Sequence, residues 1–321
     1  MARISATTDW LMLRRQASLL AIVSSWAQRG LFSLLAERPR LLHELPADPR
    51  ALRCTIPLLI NAGILETDGS HIALTPEALT MEQRAAWPSD ALGHLADLTQ
   101  LPTVLATGGP LRDAAGHSRK TDGGVLRSDP QQMRAFLDML YQRSGESCEV
   151  AARWLAGLWP VTSRLLDLGG GHGRYARMLC ELGHEVTLYD IPAVIELARE
   201  RHGSTLHYLA GDFLSDSLGD PWDGVFISNV LHGLSETENR ALLSRLRAAL
   251  QPQGKLVIKD MFLEQSGGMP DGASAFALNM LFFTDAGQSY ALETVAHWCA
   301  DAGFAHFKTI HTTTFQLCLA W

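Results

Sequence analysis

The chain has 321 residues, of which 47% are hydrophobic and 19% charged, and its formal net charge at pH 7 is -7. This composition is typical of a globular protein with a sizeable buried core, and the length is sufficient for two domains. The acidic balance argues against a general nucleic-acid-binding protein, which needs a basic face to displace counterions.

The first 90 residues predict short helices followed by a small β-hairpin. Two strand-like segments, 63–66 and 71–74, flank the pair Asp68-Gly69, which favours a tight turn. Helices followed by a hairpin suggest a winged-helix module, a fold that often binds DNA. This region is neutral, however, with nine Lys/Arg and nine Asp/Glu, and the helix before the hairpin (ALRCTIPLLINAG) is apolar. We therefore expect a subunit interface here and no binding of nucleic acid.

Residues 91–160 predict a helical connection between the two ends of the molecule. Asp129 and Pro130 supply an N-cap and a first-turn proline, and apolar residues recur at helical spacing after them. We expect this helix to contribute to a pocket, although a plain core helix is the more common outcome of the pattern.

From residue 161 onward, segments typical of buried strands alternate with amphipathic helices. The strand-like segments are RLLDLG, EVTLYD, LHYLAGD, GVFISNV and GKLVIKDMF. This alternation predicts a doubly wound α/β domain with a mostly parallel sheet. Two more strand-like segments lie within the final stretch, AHFKTIHTTTFQLCLAW, and we expect them to form a terminal pair.

The five cysteines are scattered through the sequence and form no C-x-x-C pair that would indicate a zinc or redox site. The apolar run after Arg14 and Arg15 is interrupted by polar residues and is too short to span a membrane. These features predict a reduced, cytoplasmic protein with no membrane segment and no metal.

The strongest local motif is LLDLGGGHGR, in which a buried strand leads into a glycine-rich turn and then a helix. Glycines let a ligand approach the backbone closely, and a helix N-terminus offers free N–H groups. The ligand could be a dinucleotide or S-adenosylmethionine, because residues 171–176 also fit the looser dinucleotide fingerprint. Asp190, at the end of the next strand, could bind ribose hydroxyls in either case. The terminal strand pair favours a methyltransferase sheet, and so does Asp212 with Phe213 after the third strand, where an adenine would lie.

Taken in order, the segments LLDLGGGHG, YDIP, GDF, SNVLHGLSE, GKLVIKDMFLE and ETVAHWCADAGF resemble S-adenosylmethionine-dependent O-methyltransferases. This family is typified by plant caffeic acid enzymes and bacterial natural-product tailoring enzymes, and the resemblance covers nearly the whole chain. It implies a class I methyltransferase fold, with a Rossmann-like sheet that is parallel except for an antiparallel terminal strand. It also implies an N-terminal winged-helix-like dimerisation domain, so the expected divisions are 1–90, 91–160 and 161–321.

The resemblance also implies roles for individual residues. His232, after the fourth strand, matches the family's general base, and Asp260, at the end of the fifth, matches the carboxylate that orients it. A neutral histidine can accept a hydroxyl proton at neutral pH. The residues expected to bind the cofactor are Asp167, Gly169, Gly171, Asp190, Ile191, Gly211, Asp212, Phe213 and Ser228.

Apolar side chains on two helices are candidates for the acceptor pocket. The expected lining residues are Phe136, Met139, Tyr141, Asn279, Met280 and Phe283. Methionine and phenylalanine pack well against a flat aromatic acceptor, and the same residues at helical spacing equally fit a plain core.

Three places depart from the family pattern. Plant relatives have Asp and Trp after the histidine, where this chain has Gly233 and Leu234. A second carboxylate of the family falls on Ser289, and a basic residue on the cofactor side falls on Ser228. The base could therefore lack part of its electrostatic support.

The leading hypothesis is a homodimeric enzyme that methylates a hydroxyl on an aromatic or polyketide-like small molecule. One alternative keeps the cofactor and either methylates carbon or nitrogen or transfers no methyl group at all. A DNA-binding regulator is the alternative from a different class.

Overall fold

The computed structural model describes residues 10–83, 87–88, 91–112, 116, 129–219, 221–263, 271–311 and 316–321. The chain divides into two compact units, with the division between Pro102 and Thr103. The expected connecting region, 91–160, includes residues outside the described ranges.

The first unit contains five α-helices and three strands among its described residues. They are α1 (Trp10–Gln28), α2 (Leu31–Glu37), β1 (Arg40–Leu41), α3 (Pro49–Asn61), β2 (Leu65–Thr67), β3 (His71–Leu74), α4 (Pro76–Gln83) and α5 (Ala91–Leu98). The predicted hairpin is confirmed, because β2 and β3 pair antiparallel and Gly69 has a φ of 95°. Asp68 Oδ1 accepts hydrogen bonds from the backbone N–H groups of Ser70 and His71, which closes the turn.

The core of the first unit is built around Trp26 and Phe32, and the ring of Trp87 stacks on Phe32 with centroids 4.1 Å apart. In the described part of the chain, no single helix is long and apolar enough to cross a bilayer. Met12–Gln28 and Leu31–Glu37 reach that length and composition only as a pair, and they meet at an angle of 67°.

The second unit is an α/β domain, entered through a helix at its boundary, α6 (Leu101–Thr107). Its strands are β4 (Arg164–Leu168), β5 (Glu185–Asp190), β6 (His207–Ala210), β7 (Trp222–Ser228), β8 (Leu250–Lys259), β9 (Phe307–His311) and β10 (Gln316–Ala320). Its further helices are α7 (Pro130–Arg143), α8 (Gly145–Ala156), α9 (Arg174–Glu181), α10 (Pro192–His202), α11 (Glu236–Ala249), α12 (Asp271–Phe283) and α13 (Leu292–Asp301).

The seven strands lie in the order β6-β5-β4-β7-β8-β10-β9. Strands β4 to β8 are parallel to one another, and β10 is antiparallel to both β8 and β9. The predicted fold class and the predicted terminal pair are therefore confirmed. The strand order reverses between β4 and β7, and in such sheets a ligand binds outside the carboxyl ends of the strands at that point.

Successive side chains of a strand point to opposite faces of the sheet, and each face packs against its own helices. Leu166 and Ile227 belong to the cluster that includes residues of α11 and α13. Leu165 and Phe226 belong to the cluster that includes residues of α8, α9 and α10.

The long helix predicted after Asp129 is two helices, α7 and α8, with the break at Ser144. Asp129 caps α7 as predicted, since its Oδ1 accepts from the N–H groups of Gln131 and Gln132. At the break, the Ser144 hydroxyl donates to the carbonyl of Tyr141 at 3.0 Å. Such a local hydrogen bond, with a glycine next in sequence, disfavours a continuous helix.

Candidate active site

The glycine-rich turn after β4 requires glycine at its first position for steric reasons. Gly169 and Gly171 have φ values of 67° and 53°, in the left-handed region that side chains disfavour. A Cβ on Gly169 would lie 2.7 Å from Val230 and 3.8 Å from the ring of Phe213. The turn is therefore wedged between the ends of β6 and β7, with no room for a side chain.

Asp190, at the end of β5, fixes the glycine turn relative to the next helix. Its Oδ2 accepts from the N–H of Gly171 at 2.9 Å, and its Oδ1 accepts from the N–H of Ile191 at 2.8 Å. Both oxygens thus hold backbone groups, and the second lone pair of each can still accept from a ligand.

The turn after β6 is shaped mainly by its own contacts. Asp212 Oδ1 accepts from the N–H of Leu214 at 2.9 Å, which makes Asp212 a loop cap. A Cβ on Gly211 would lie 2.5 Å from the hydroxyl of Tyr189, so packing alone accounts for glycine there. Neither contact prevents Asp212 or Phe213 from facing a ligand.

Two polar side chains are buried without partners at the carboxyl ends of β4 and β7. Asp167 is 1% exposed, and neither of its oxygens nor the Ser228 hydroxyl is hydrogen-bonded to the residues that the structure describes. Burial raises the pKa of the Asp167 carboxyl to about 7, although the N–H of Ala176, which lies near the carboxyl outside hydrogen-bond geometry, offsets part of this effect. Buried polar groups almost always have partners, so these two fit a site that binds a polar ligand.

The raised pKa of Asp167 predicts that the free protein loses stability as the pH rises. The folded state holds a proton that the unfolded chain releases near pH 4, so stability falls between pH 4 and about 7 and then levels off. The free energy of unfolding of the wild type should therefore fall by about 3 kcal/mol between pH 5 and pH 8, and Asp167→Asn should abolish this fall. Urea unfolding at both pH values measures it. Parallel pH curves for the variant and the wild type would rule out this account of Asp167.

The structure brings His232 and Asp260 together across 28 residues of sequence. His232 lies on a short 3-10 turn, Leu231–Gly233, that follows β7, and Asp260 directly follows β8. The Nδ1 of His232 is 2.6 Å from Asp260 Oδ1, and the two side chains are 15% and 3% exposed. Asp260 accepts from Nδ1–H, which leaves Nε2 as an acceptor for a proton.

Three residues that sequence reasoning missed hold the turn that carries His232. The Asn239 amide donates to the carbonyls of Leu231 and Leu234 at 2.9 and 3.3 Å, and the Tyr290 hydroxyl donates to Leu234 at 2.6 Å. The ring of Phe276 meets the imidazole edge-on, with centroids 4.6 Å apart. Of these, only Phe276 has a sequence signal, because it lies three residues before Asn279 and so shares its helix face.

The predicted pocket residues of α12 lie on the helix face that contains Phe276. Asn279, Met280 and Phe283 follow Phe276 at three, four and seven residues, which is the spacing of one helical face. Met280 and Phe283 are buried, and Asn279 is partly exposed. This face therefore lies toward His232.

The predicted pocket residues of α7 do not all lie together. Phe136 and Met139 are partly exposed and share one face of the helix, whereas Tyr141 projects from another. The ring of Tyr141 lies between the guanidinium groups of Arg174 and Arg201, at 4.8 and 4.4 Å. Cation–π contacts of this kind hold Tyr141 against α9, which carries Arg174, and α10, which carries Arg201.

His172, inside the glycine turn, is neutral at physiological pH. Burial, followed by the nearby charges of Arg201 and Arg174, lowers its pKa to about 4. Its Nδ1 accepts from the N–H of Arg174, the first residue of α9, at 3.1 Å. The imidazole therefore supports the backbone of the turn.

The positions that depart from the family pattern have distinct surroundings. Ser289 is 5% exposed, and its hydroxyl is also without a partner in the described part of the chain. A Cβ on Gly233 would meet nothing within 4 Å, so the missing side chain there leaves open space beside His232.

Comparisons with known proteins identify the family and the fold. The sequence profile of the O-methyltransferase domain matches residues 113–305. The tetracenomycin polyketide synthesis 8-O-methyltransferase TcmO of Streptomyces glaucescens is 27% identical over 307 residues, which cover 90% of this chain and 88% of that one. The N,N-dimethyltransferase OxyT of Streptomyces rimosus is 27% identical over 291 residues, with coverage of 80% and 82%. The crystal structure of human N-acetylserotonin methyltransferase with S-adenosylmethionine has the same fold, with a TM-score of 0.74 at 20% identity over 99% of both chains.

Proposed function

Because the chain belongs to the family of S-adenosylmethionine-dependent O-methyltransferases, we propose that it methylates a hydroxyl group on an aromatic or polyketide-like small molecule. The observation that carries the proposal is the 2.6 Å contact between His232 and Asp260 after two adjacent strands of the sheet. The similarity to TcmO, which acts in polyketide synthesis, supports this class of acceptor.

We propose that the chain holds its cofactor around the carboxyl ends of β4, β5 and β6. Asp167, Gly169 and Gly171 would lie along the methionine part, and Asp190 with Ile191 along the ribose. Gly211, Asp212 and Phe213 would bound the adenine. The glycine turn without room for a Cβ and the unpaired oxygens of Asp167 support this assignment. S-adenosylmethionine, when bound, supplies an electrophilic methyl group.

In the proposed reaction, His232 acts as the general base. Its Nε2 would take the proton of the acceptor hydroxyl as that oxygen becomes a nucleophile. Asp260 accepts from Nδ1–H, holds the imidazole in this tautomer and stabilises the imidazolium that forms. The face of α12 with Phe276, Asn279 and Met280 would position the acceptor ring beside the imidazole.

Methyl transfer with a labelled cofactor tests the proposal. The enzyme would be incubated with S-adenosylmethionine carrying a ¹³C-methyl group and a panel of polyhydroxylated naphthoates and anthraquinones, and the products examined by NMR. A new methoxy signal is the expected result. Label on nitrogen or carbon would replace the proposal with the alternative that the similarity to OxyT favours. Cofactor binding without transfer to any of these acceptors would contradict the proposed acceptor class.

We propose that the first unit mediates homodimerisation. A groove of about 420 Å³ on this unit is lined by residues of α1 and α3, among them Ile22, Trp26 and Leu52. Its apolar lining supports contact with a second copy. Light scattering coupled to size exclusion should give twice the chain mass of 35.1 kDa, and a monomer at micromolar concentration would contradict the proposal.

We also propose a reducing, cytoplasmic location. All five cysteines are free, and Cys148, Cys299 and Cys318 are buried. The cell extract would be quenched with acid to stop thiol exchange, and the protein then denatured and titrated with a thiol reagent. This titration should find five thiols. A disulfide in the freshly extracted protein would contradict this location.

A further inference from the structure

Lys259, the last residue of β8, is a half-buried cation that the proposed mechanism does not use. Burial lowers the pKa of its ammonium group, although the neighbouring Asp260 carboxylate acts in the opposite direction. Its side chain donates no hydrogen bond to the residues that the structure describes. A partly desolvated ammonium without a hydrogen-bond acceptor is unfavourable, so its retention needs a reason.

The register of the sheet places Lys259 beside Ser228. The two residues are paired across β7 and β8, and the N–H of Asn229 donates to the carbonyl of Lys259 at 2.8 Å. Ser228 is where the sequence resemblance expects a basic residue on the cofactor side. The cation that is missing from β7 is therefore present on the adjacent strand, one strand spacing away.

The alternation of side chains puts Lys259 on the same sheet face as Ser228 and Asp167. On each strand, the residue two positions earlier points to the same face and belongs to the core cluster under α8 and α9. These residues are Leu165 before Asp167, Phe226 before Ser228 and Val257 before Lys259. Three polar side chains thus form a row at the carboxyl ends of β4, β7 and β8. Within that row, Asp167 and Ser228 have no partner among the described residues.

Two groups on other elements, His172 and Cys148, sense the positive charge of Lys259. The positive charge of Lys259 acts to lower the pKa of His172, in the glycine turn, and opposes the effect of burial, which raises the pKa of Cys148 in the first turn of α8. Cys148 is fully buried, and the first turn of a helix carries free N–H groups that also favour an anion. The ammonium therefore lies on the sheet face that packs against α8 and α9.

The charged side chains around this position match the α-ammonium and α-carboxylate groups of a methionine. Asp167 is on β4 and Lys259 is on β8, with β7 between them, and Lys259 is two residues further along the strand direction. Their Cα atoms are therefore separated by roughly 12 Å. That span accommodates an α-amino carboxylate between an anionic and a cationic side chain. The charge order, a carboxylate at one end and an ammonium at the other, is complementary to such a group.

We propose that Lys259 binds the α-carboxylate of the methionine part of S-adenosylmethionine and so replaces the basic residue absent at Ser228. This inference rests on the cofactor of the proposed function and is independent of the acceptor. The contact is a charge-assisted hydrogen bond made in a partly buried site, which selects ligands that carry the carboxylate.

Calorimetric titration without acceptor tests the proposal, with S-adenosylmethionine and its decarboxylated analogue as the two ligands. The analogue keeps the sulfonium and the ammonium and lacks only the carboxylate. Lys259→Met should weaken binding of S-adenosylmethionine by about 10- to 100-fold and change binding of the analogue by less than threefold. Lys259→Arg should recover part of the loss, because it restores the charge.

Lys255→Met is the matched control. Lys255 lies on the same strand, and its ammonium donates to the carbonyl of Leu158 at 2.7 Å. This variant should bind both ligands as the wild type does. Equal weakening of both ligands by Lys259→Met, or weakening of neither, would overturn the inference while leaving the proposed function intact. Failure of the wild-type protein to bind S-adenosylmethionine would overturn both.

Discussion

Replacing His232 by alanine is expected to lower turnover by about 10²- to 10⁴-fold, which is the range for loss of a general base. The affinity for S-adenosylmethionine, measured by calorimetry, should stay within about twofold. Among the described residues, the imidazole of His232 hydrogen-bonds to Asp260 and meets the ring of Phe276, and neither of these is proposed to bind the cofactor. Turnover would be measured with the acceptor found by the labelling experiment. A variant that retains wild-type turnover would contradict the role of His232 as base.

The pH dependence of the His232 variant separates loss of a base from loss of acceptor positioning. Without a base, the reaction depends on the fraction of acceptor that is already ionised, so the rate should rise tenfold per pH unit below the acceptor's own pKa. If alanine only disturbed the pocket, the deficit would be the same at every pH.

Asp260→Asn provides a second control for the pair. The amide removes the negative charge that would stabilise the imidazolium, so turnover should fall, but by less than in His232→Ala. If the two residues act as one unit, the double variant should be no slower than His232→Ala alone. Additive losses would mean that Asp260 acts on something other than the histidine.

The sequence predicted the architecture well because the fold depends on short-range patterns. Alternating strands and helices, the glycine turn after β4 and the Asp68-Gly69 hairpin each follow from a few adjacent residues, and each is present in the structure. The break between α7 and α8 was missed because apolar spacing continues through it. The local hydrogen bond of Ser144 decided the outcome there.

The surroundings of the candidate site were much less predictable. Asp260 was assigned through resemblance, because nothing in the residues themselves links two side chains 28 positions apart. The position of Lys259 beside Ser228 depends on the register between β7 and β8, which the sequence does not encode locally. Tyr141 was grouped with Phe136 and Met139 by proximity in sequence, whereas its ring is held by two arginines from later elements.

Gly287 provides the second large expected effect, through its contact with the turn that carries His232. A Cβ on Gly287 would lie inside van der Waals contact with the carbonyl oxygen of His232 and 2.6 Å from the hydroxyl of Thr284. Thr284 is buried, and its hydroxyl donates to the carbonyl of Met280 at 2.7 Å, so it cannot move aside freely. The backbone of His232 would have to shift instead.

Gly287→Ala is therefore expected to displace His232 from Asp260 and lower turnover by about 10²-fold, since a shift of ~1 Å at a reacting group can cost that much. The affinity for S-adenosylmethionine should not change. The matched control is Gly233→Ala, one residue from His232, where a Cβ meets nothing within 4 Å. Its turnover should stay within about threefold of the wild type.

A signal from the imidazole itself distinguishes displacement of the base from general destabilisation. The proton on Nδ1 lies in a 2.6 Å contact with Asp260 and should give a low-field NMR resonance that is absent from His232→Gln. Gly287→Ala should shift or broaden this resonance, whereas Gly233→Ala should leave it in place. An unshifted resonance in Gly287→Ala, together with full turnover, would mean that the loop Thr284–Tyr290 tolerates a side chain at Gly287 and that His232 is positioned by Asp260 and Asn239 alone.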